Sequence, residues 1–222
     1  MTKWLHGTSS FSEKSWIGPF YPPGTPPGEF LTHYATQFRA VEIDATYYSI
    51  PSERMVDGWA YKTPADFVIC AKFPRSIVHC GDGKQPDGGR VMNSATVAED
   101  TALFLERIAR LGPRLGPLVL QFPYFNRQAF ASVEPFLDRL DRFLGELPRT
   151  TESGHPLHYG VEIRNAKWLD APLFEVLRRH RAATVLVDLP YMPRPELLDG
   201  LDFATSEDFL YLRLIGDRKA VD

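Results

Sequence analysis

Polar and charged side chains stand at the ends of short apolar runs throughout this 222-residue sequence. Residues two apart in a β-strand point to the same side, so Glu42 and Asp44 would share one face of their strand. If the strands are parallel, these ends gather at one mouth of the sheet. The residues concerned are His6, Thr8, Glu42, Asp44, Lys72, Gln121, Glu162, Arg164, Asp188 and Arg213. We predict that they converge there.

The residue types in this set suit acid–base chemistry on an anionic ligand. Basic side chains bind phosphate or carboxylate groups, and carboxylates transfer protons or bind divalent cations. We assign catalysis to Glu42, Lys72, Glu162 and Asp188, and substrate binding to His6, Thr8, Asp44, Tyr47, Gln121, Arg164 and Arg213. Tyr47 could stack on a ring, although it and the adjacent Tyr48 cannot both face inward. Mutual pairing of these charges without any function is the alternative interpretation.

Strand-like runs alternate with helical patterns along the chain. The predicted strands are residues 4–8, 41–44, 67–72, 118–121, 159–164, 184–188 and 209–214, and the predicted helices are residues 29–38, 52–62, 96–111, 127–147 and 172–181. This alternation indicates a parallel sheet with right-handed crossovers. The sequence has no glycine-rich phosphate-binding signature, and nearly every strand ends in a polar residue. We therefore predict a TIM (β/α) barrel, with residues 1–222 as a single domain.

The composition disfavours several classes of protein. Hydrophobic residues make up 44% of the chain and aromatic residues 13%, which is too much for extended disorder. The 25 basic and 28 acidic side chains give a net charge of -3, which disfavours a broad nucleic-acid-binding surface. Two cysteines cannot build a disulfide framework, and no apolar run approaches the ~18 residues of a membrane span. We expect a cytoplasmic protein that does not insert into membranes.

Several motifs together resemble those of one protein family. They are residues 7–12, 18–22, 41–48, 67–74, 115–123, 161–164 and 211–214, with Trp16, Pro51, His79, Trp168 and Asp188. On these residues, which span essentially the whole chain, the sequence resembles the DUF72 family, also called the YecE-like family, of TIM-barrel proteins. The resemblance implies the barrel but no particular reaction, since the family has no settled activity and fold does not fix function.

The chain departs from the pattern of that family at three positions and after its last predicted strand. Ser10 stands where a glycine is usual, and Asn165 and Ile215 stand where histidines are usual. The two histidine changes count against proton transfer or metal ligation at those positions. Family members continue past the strand that contains Arg213 with one more strand and a helix. We expect seven βα units here, with the eighth truncated or absent unless the given chain is incomplete.

Three functional hypotheses follow from the mouth residues. The first is an enzyme, such as a hydrolase, lyase or isomerase, acting on a small anionic, phosphorylated or sugar-like substrate, with a Schiff base on Lys72 as one route. The second is a metal-dependent phosphodiesterase or nuclease, for which His6 and His79 are the candidate histidines and a carboxylate-bound Mg or Mn is open. The third is a non-enzymatic ligand-binding module. The expected partner is a small anionic ligand; nucleic acid is disfavoured, and the oligomeric state is undetermined.

Overall fold

Six parallel strands form one curled sheet in the computed structural model, which describes residues 3–194, 198 and 202–216. The strands are β1 (Ala40–Ile43), β2 (Val68–Lys72), β3 (Leu115–Gln121), β4 (Tyr159–Glu162), β5 (Ala183–Asp188) and β6 (Tyr211–Leu214). Each strand pairs in parallel with its neighbours in chain order. The sheet is a half-barrel whose carboxyl ends share one edge.

Seven α-helices accompany the strands in the described part of the chain. They are α1 (Phe30–Gln37), α2 (Ala45–Tyr48), α3 (Glu53–Tyr61), α4 (Arg75–Val78), α5 (Ser94–Ala109), α6 (Glu134–Glu146) and α7 (Ala171–Arg179). The apolar face of α6 is buried in the core, as the helical spacing of Phe136, Leu140 and Leu144 requires. Asp170 caps α7 by accepting a hydrogen bond from the Ala171 amide at 2.7 Å.

Helix positions follow the sequence prediction with two differences. The helix predicted over residues 127–147 begins only at Glu134. Residues 126–129, ahead of this helix, form a turn instead, because Asn126 Oδ1 accepts hydrogen bonds from the amides of Gln128 and Ala129 at 3.0 Å each. The one-turn helices α2 and α4 were not predicted, since four residues are too few to show a helical periodicity.

The predicted first strand, residues 4–8, is wrong, since these residues form no strand. The segment nevertheless lies beside β1, because the Glu42 amide donates to the Thr8 carbonyl oxygen at 3.0 Å. Single hydrogen bonds of this kind do not make a ladder. The described residues therefore contain six of the seven predicted strands. Strands β1 to β6 correspond to the second to seventh predicted strands.

The curl of the sheet brings its two outermost strands together on the inner side. Arg213 on β6 lies 3.0 Å from Glu42 on β1, measured from Nη2 to Oε1, and the Tyr211 hydroxyl donates to Glu42 Oε2 at 2.8 Å. Direct side-chain contact between the first and last strands requires strong curvature. The polar residues at the strand ends therefore surround one common interior.

Apolar side chains fill the interior below these polar ends. Val119, Val185 and Val187 form a small buried cluster with Tyr211 against it. Gly160 on β4 leaves room for this cluster, because a Cβ atom there would lie 2.9 Å from Val185 Cγ2. A larger apolar core contains the buried faces of the helices. The polar ends thus rest on a closely packed apolar floor.

Strand β6 is the edge of the described sheet, where it pairs with β5. Its inward side chains, Tyr211 and Arg213, are partly buried, whereas Leu212 and Leu214 on the outer face are 55% and 78% exposed. Leu210, just before the strand, is 62% exposed. We call Leu210, Leu212 and Leu214 the leucine stripe.

Gly7 provides a test of the packing between residues 4–8 and β1. A Cβ atom at Gly7 would lie 1.9 Å from the Ala40 carbonyl oxygen, a backbone atom that cannot rotate away. We expect Gly7→Ala to destabilise the protein by about 1–3 kcal/mol, as overpacking does. The matched control is Gly28→Ala, where a Cβ atom meets nothing within 4 Å. Urea unfolding measures both, and equal midpoints would contradict the close packing.

Candidate functional site

Charged side chains from four strands and the residues just after them meet at the carboxyl edge of the sheet. Parallel register places Gln121 directly beside Glu162 on the neighbouring strand. The ion-paired members are Glu42, Asp44, Lys72, Glu162, Arg164 and Arg213, and we call them the charge network. It joins three acidic to three basic side chains, so its formal charge is zero.

Arg213 is the centre of the charge network. Its Nη1 lies 2.7 Å from Glu162 Oε2 and donates to Gln121 Oε1 at 3.0 Å. Its Nη2 lies 3.0 Å from Glu42 Oε1 and 3.4 Å from Ser9 Oγ. Burial works to lower the pKa of Arg213, but the Glu162 and Glu42 carboxylates outweigh it and raise that pKa. The guanidinium therefore stays charged while it links two otherwise separate carboxylates.

Glu162 is fully buried between two arginines. Its Oε2 is taken by Arg213, and its Oε1 accepts a hydrogen bond from Arg164 Nε at 2.6 Å, with Arg164 Nη2 at 2.5 Å. An unpaired carboxylate at this depth would be costly, and the two guanidiniums offset that cost. Both oxygens are occupied, so Glu162 holds the arginines in place.

Lys72 forms the other half of the charge network. Its Nζ lies 3.3 Å from Glu42 Oε1 and contacts Asp44 Oδ1 more closely. Its backbone amide donates to Thr46 Oγ1 at 3.0 Å, which fixes the end of β2 against α2. The Lys72 side chain is 4% exposed and that of Asp44 is 40% exposed. Asp44 is thus the carboxylate of the network that solvent reaches.

Tyr211 completes the set of partners of Glu42. Its hydroxyl donates to Glu42 Oε2 at 2.8 Å. Burial, together with the nearby Cys70 thiol and the Glu42 carboxylate, holds the pKa of Tyr211 well above its usual range. Burial also raises the pKa of Cys70 to about 12. Both groups stay protonated at neutral pH, so Tyr211 is a hydrogen-bond donor here rather than a base.

Seven of the residues predicted from the sequence to converge do meet at this edge. They are Glu42, Asp44, Lys72, Gln121, Glu162, Arg164 and Arg213. Tyr47 is half-buried nearby, where burial raises its pKa and the charges of Arg75 and Arg164 oppose that rise. Tyr48 is 69% exposed, so only one of the adjacent tyrosines turns inward.

The structure does not bring His6, Thr8 or Asp188 to the charge network. His6 is exposed and packs edge-on against the Phe38 ring, 5.6 Å between centroids. Thr8 Oγ1 bonds to Ser10 O and Tyr34 Oη, away from the interior. Val185 and Val187 occupy the inner face of β5, so the exposed Asp188 belongs to the opposite face. The prediction that these three residues converge with the others at the mouth is therefore wrong.

Ser9 and Tyr211 also belong to the site, although neither was predicted from the sequence to lie there. Ser9, rather than the predicted Thr8, contacts Arg213. Residues 4–8 run beside β1 without forming a strand, so their side chains do not alternate between two faces as they would in a paired strand. Tyr211 lies two residues before Arg213 on the same strand, and that spacing was a usable signal.

The donor set does not fit a tight metal site. Among the described residues, no group of three His, Cys, Asp or Glu side chains lies close enough to hold a metal ion. His79, the other candidate histidine, is buried and its Nδ1 accepts the Gly81 amide at 3.1 Å. Burial and the neighbouring Arg75 lower the pKa of His79, so its imidazole is neutral and serves the loop after β2.

Comparison with known proteins supplies the family of this chain. The model of a family described as a protein of unknown function, DUF72, matches residues 5–222. The chain belongs to the DUF72 family. The curated UPF0759 protein YunF of Bacillus subtilis (strain 168) is 25% identical over 156 residues, which cover 70% of this chain and 49% of YunF. This DUF72 protein therefore aligns with about half the length of that relative.

Two solved structures of DUF72 family proteins are similar to this one. The protein from Thermotoga maritima MSB8 is 29% identical, with a TM-score of 0.67 and coverage of 97% of this chain and 75% of that chain. The protein from Enterococcus faecalis V583 is 22% identical, with a TM-score of 0.63 and coverage of 96% and 70% respectively. The second likeness supports the fold alone. As to membranes, no helix in the described ranges has the length and apolar character needed to cross one.

Proposed function

We propose that the carboxyl edge of the sheet is the active site of an enzyme that acts on a small anionic substrate, phosphorylated or sugar-like. Arg164 is the observation that carries this proposal. Its Nε and Nη2 lie 2.6 and 2.5 Å from Glu162 Oε1, and its Nη1 donates to the Tyr191 hydroxyl at 3.2 Å. Guanidinium has five N–H groups, and at least two of these have no partner among the described residues. A phosphate or carboxylate oxygen suits these remaining donors.

Asp44 and Lys72 are the reacting pair in this proposal. They touch each other, and Asp44 is the exposed carboxylate of the charge network. A substrate held by Arg164 would present its neighbouring hydroxyl or carbonyl group to this pair, which would accept and return a proton. Glu42 holds Lys72 from behind at 3.3 Å. Glu162 acts as a positioning residue, since both of its oxygens already bind arginines.

The proposal extends to the complete fold, a TIM barrel of seven βα units in which residues 4–8 take the position of the first strand. Its support is the hydrogen bond from the Glu42 amide to the Thr8 carbonyl oxygen at 3.0 Å and the contact of β6 with β1 through Arg213. In such barrels the carboxyl ends of the strands carry the chemistry. The charge network lies at that end.

Inorganic phosphate tests the anion-binding half of the proposal. We expect phosphate to raise the melting temperature of the parent protein, because a ligand of the native state stabilises it. Replacing Arg164 by Gln should weaken phosphate binding about tenfold or more, the cost of a charged hydrogen-bonding partner. Arg39→Gln is the matched control, since Arg39 lies before β1, is 68% exposed and pairs with Asp66 at 2.6 Å. A full phosphate shift in Arg164→Gln would contradict the assignment.

Turnover tests the catalytic half. A panel of sugar phosphates, followed by phosphorus NMR, should reveal at least one compound that the parent protein converts. Asp44→Asn and Lys72→Met should abolish conversion while phosphate still raises the melting temperature of both variants. Conversion that survives in both variants would exclude Asp44 and Lys72 as the reacting pair.

A non-enzymatic ligand-binding module is the second candidate. It is favoured by the residues that stand at the two positions where family members usually carry a histidine, Asn165 and Ile215. The Asn165 side chain is committed to structure: its Oδ1 accepts the Phe125 amide at 2.9 Å and its Nδ2 donates to the Phe125 carbonyl oxygen at 2.8 Å. Ile215, at the other such position, packs against the inner valine cluster. Phosphate binding that depends on Arg164, without conversion of any compound in the panel, would support this candidate.

A further inference from the structure

Exposed tyrosine rings surround the carboxyl edge of the sheet. Tyr48 follows β1, Tyr124 follows β3 and Tyr191 follows β5, and they are 69%, 65% and 61% exposed. Single exposed apolar side chains scattered over a surface need no explanation. These three share one edge of the sheet, which is the edge that carries the charge network.

Tyr191 is in direct contact with Arg164, the cation of the proposed anion site. Arg164 Nη1 donates to its hydroxyl at 3.2 Å, which holds the ring beside the guanidinium. Tyr47 is also near Arg164, whose charge acts on the Tyr47 hydroxyl against the effect of burial. An anion bound at Arg164 would therefore have aromatic surface beside it.

The loops at this edge are rich in basic residues, although the whole chain is acidic. Residues 44–52, 73–93, 122–133, 163–170 and 189–194 contain seven basic and four acidic residues, a net charge of +3 against -3 for the whole chain. Lys84, Arg127 and Lys167 are exposed and form no ion pair with any residue that the structure describes. By contrast, Arg110 on the helical side pairs with Asp57 at 2.6 Å.

These loops hold one another in place across neighbouring strands. Asn165, after β4, bonds to the Phe125 backbone after β3, and Asn126 Nδ2 donates to Gln85 Oε1, after β2, at 3.4 Å. The Phe125 and Trp168 rings stack with centroids 6.0 Å apart. The loops after β2, β3 and β4, which carry Tyr124, Lys84, Arg127 and Lys167, therefore form one continuous surface.

We infer that the anionic ligand carries a nucleobase, so that the site takes a nucleoside 5′-phosphate whose phosphate binds Arg164 and whose base stacks on Tyr191. The inference rests on the proposed anion site. Aromatic side chains beside cations are the combination that binds nucleotides, because every base has a flat π-face and each phosphate a negative charge. A sugar phosphate without a base would use the cations and leave the ring of Tyr191 in water.

Isothermal titration calorimetry tests whether the ligand carries a nucleobase. The three ligands to compare are adenosine 5′-phosphate, ribose 5-phosphate and inorganic phosphate. We expect the parent protein to bind the adenosine compound about tenfold more tightly than ribose 5-phosphate, the usual effect of one base stacked on an aromatic side chain. Tyr191→Leu should remove this preference, whereas Tyr191→Phe, which keeps the ring and loses the hydroxyl, should retain it. Tyr61→Leu is the matched control, since Tyr61 is 90% exposed at the end of α3.

The outcomes distinguish this inference from the function on which it rests. Equal affinity for the adenosine compound and ribose 5-phosphate, both lost in Arg164→Gln, would overturn the nucleobase and leave the anion site standing. A preference that persists in Tyr191→Leu would overturn the stacking partner. Absence of binding by all three compounds would overturn the anion site and the inference together.

Discussion

Replacing Arg213 by Met is expected to destabilise the protein by about 3–5 kcal/mol, the usual cost of removing one partner from a buried ion pair. Arg213 lies 2.7 Å from Glu162 and 3.0 Å from Glu42, and these carboxylates are 0% and 6% exposed. Without the guanidinium, the side-chain partners left in the described part of the chain are Arg164 for Glu162, and Lys72 and Tyr211 for Glu42. Methionine fills much of the same space, so the loss reports the charge rather than a cavity.

Urea unfolding of the Arg213→Met variant measures this effect. Arg39→Met is the control, because it removes an arginine from an exposed ion pair that contributes only about 0–1 kcal/mol. Similar midpoints for the two variants would show that the charge network contributes no more than a surface pair. Far-ultraviolet circular dichroism of each variant before unfolding establishes that the helices remain.

Glu162→Gln is expected to cost about 3 kcal/mol, because it removes the negative charge that two guanidiniums share at 2.6 and 2.7 Å. Glutamine has the same shape and keeps one oxygen to accept a hydrogen bond, so packing changes little. Thermal and urea unfolding both measure the change. A fully stable variant would mean that Arg164 and Arg213 do not depend on this carboxylate.

The double variant Glu162→Gln with Arg213→Met isolates their mutual interaction. Each single change already breaks the same ion pair, so the combined loss should fall short of the sum of the two by about 0.5–3 kcal/mol. The pair Glu162→Gln with Arg39→Met should be additive, because Arg39 is paired with Asp66 outside the network. Strict additivity in both pairs would contradict the contact between Glu162 and Arg213.

The convergence of these charged residues at one edge was predicted from the sequence, because two simple rules combine there. Parallel strands end at one edge, and residues two apart share a face. Glu162 and Arg164 satisfy both rules, and Gln121 lies beside Glu162 in register. These two rules predict that the side chains lie close together without any information about individual contacts. Their pairing into a neutral network depended on distances that the sequence does not contain.

The same rules failed where the backbone does not follow a regular strand. Residues 4–8 look like a strand in sequence, but Trp4 is 87% exposed and the segment makes no ladder. Thr8 consequently turns towards Tyr34 instead of the interior. Period-two alternation applies only within a ladder, so a side-chain direction inferred for an unpaired segment has no physical basis.

The prediction for Asp188 was wrong for a different reason. Asp188 does lie in a strand, but its side chain was assigned to the wrong face of that strand. The run 184–188 is apolar on both faces: Val185 and Val187 point to the interior, and Leu186 on the other face is also buried. A strand covered on both sides gives no hydrophobic alternation from which to assign the direction of its last residue. Only its neighbours in the sheet decide that direction.

Strand β6, with its exposed leucine stripe, carries the cation that links the two halves of the charge network. Arg213 lies 171 positions after Glu42 in the chain, so the carboxylates of β1 and β4 leave the ribosome before their shared cation. Until β6 pairs with β5, Arg164 and Lys72 are the cations that Glu162 and Glu42 have among the described residues, so burying these carboxylates is less fully compensated. Pairing of β6 with β5 thus brings Arg213 to both carboxylates in one step, and amide hydrogen exchange along β6 reports on that step.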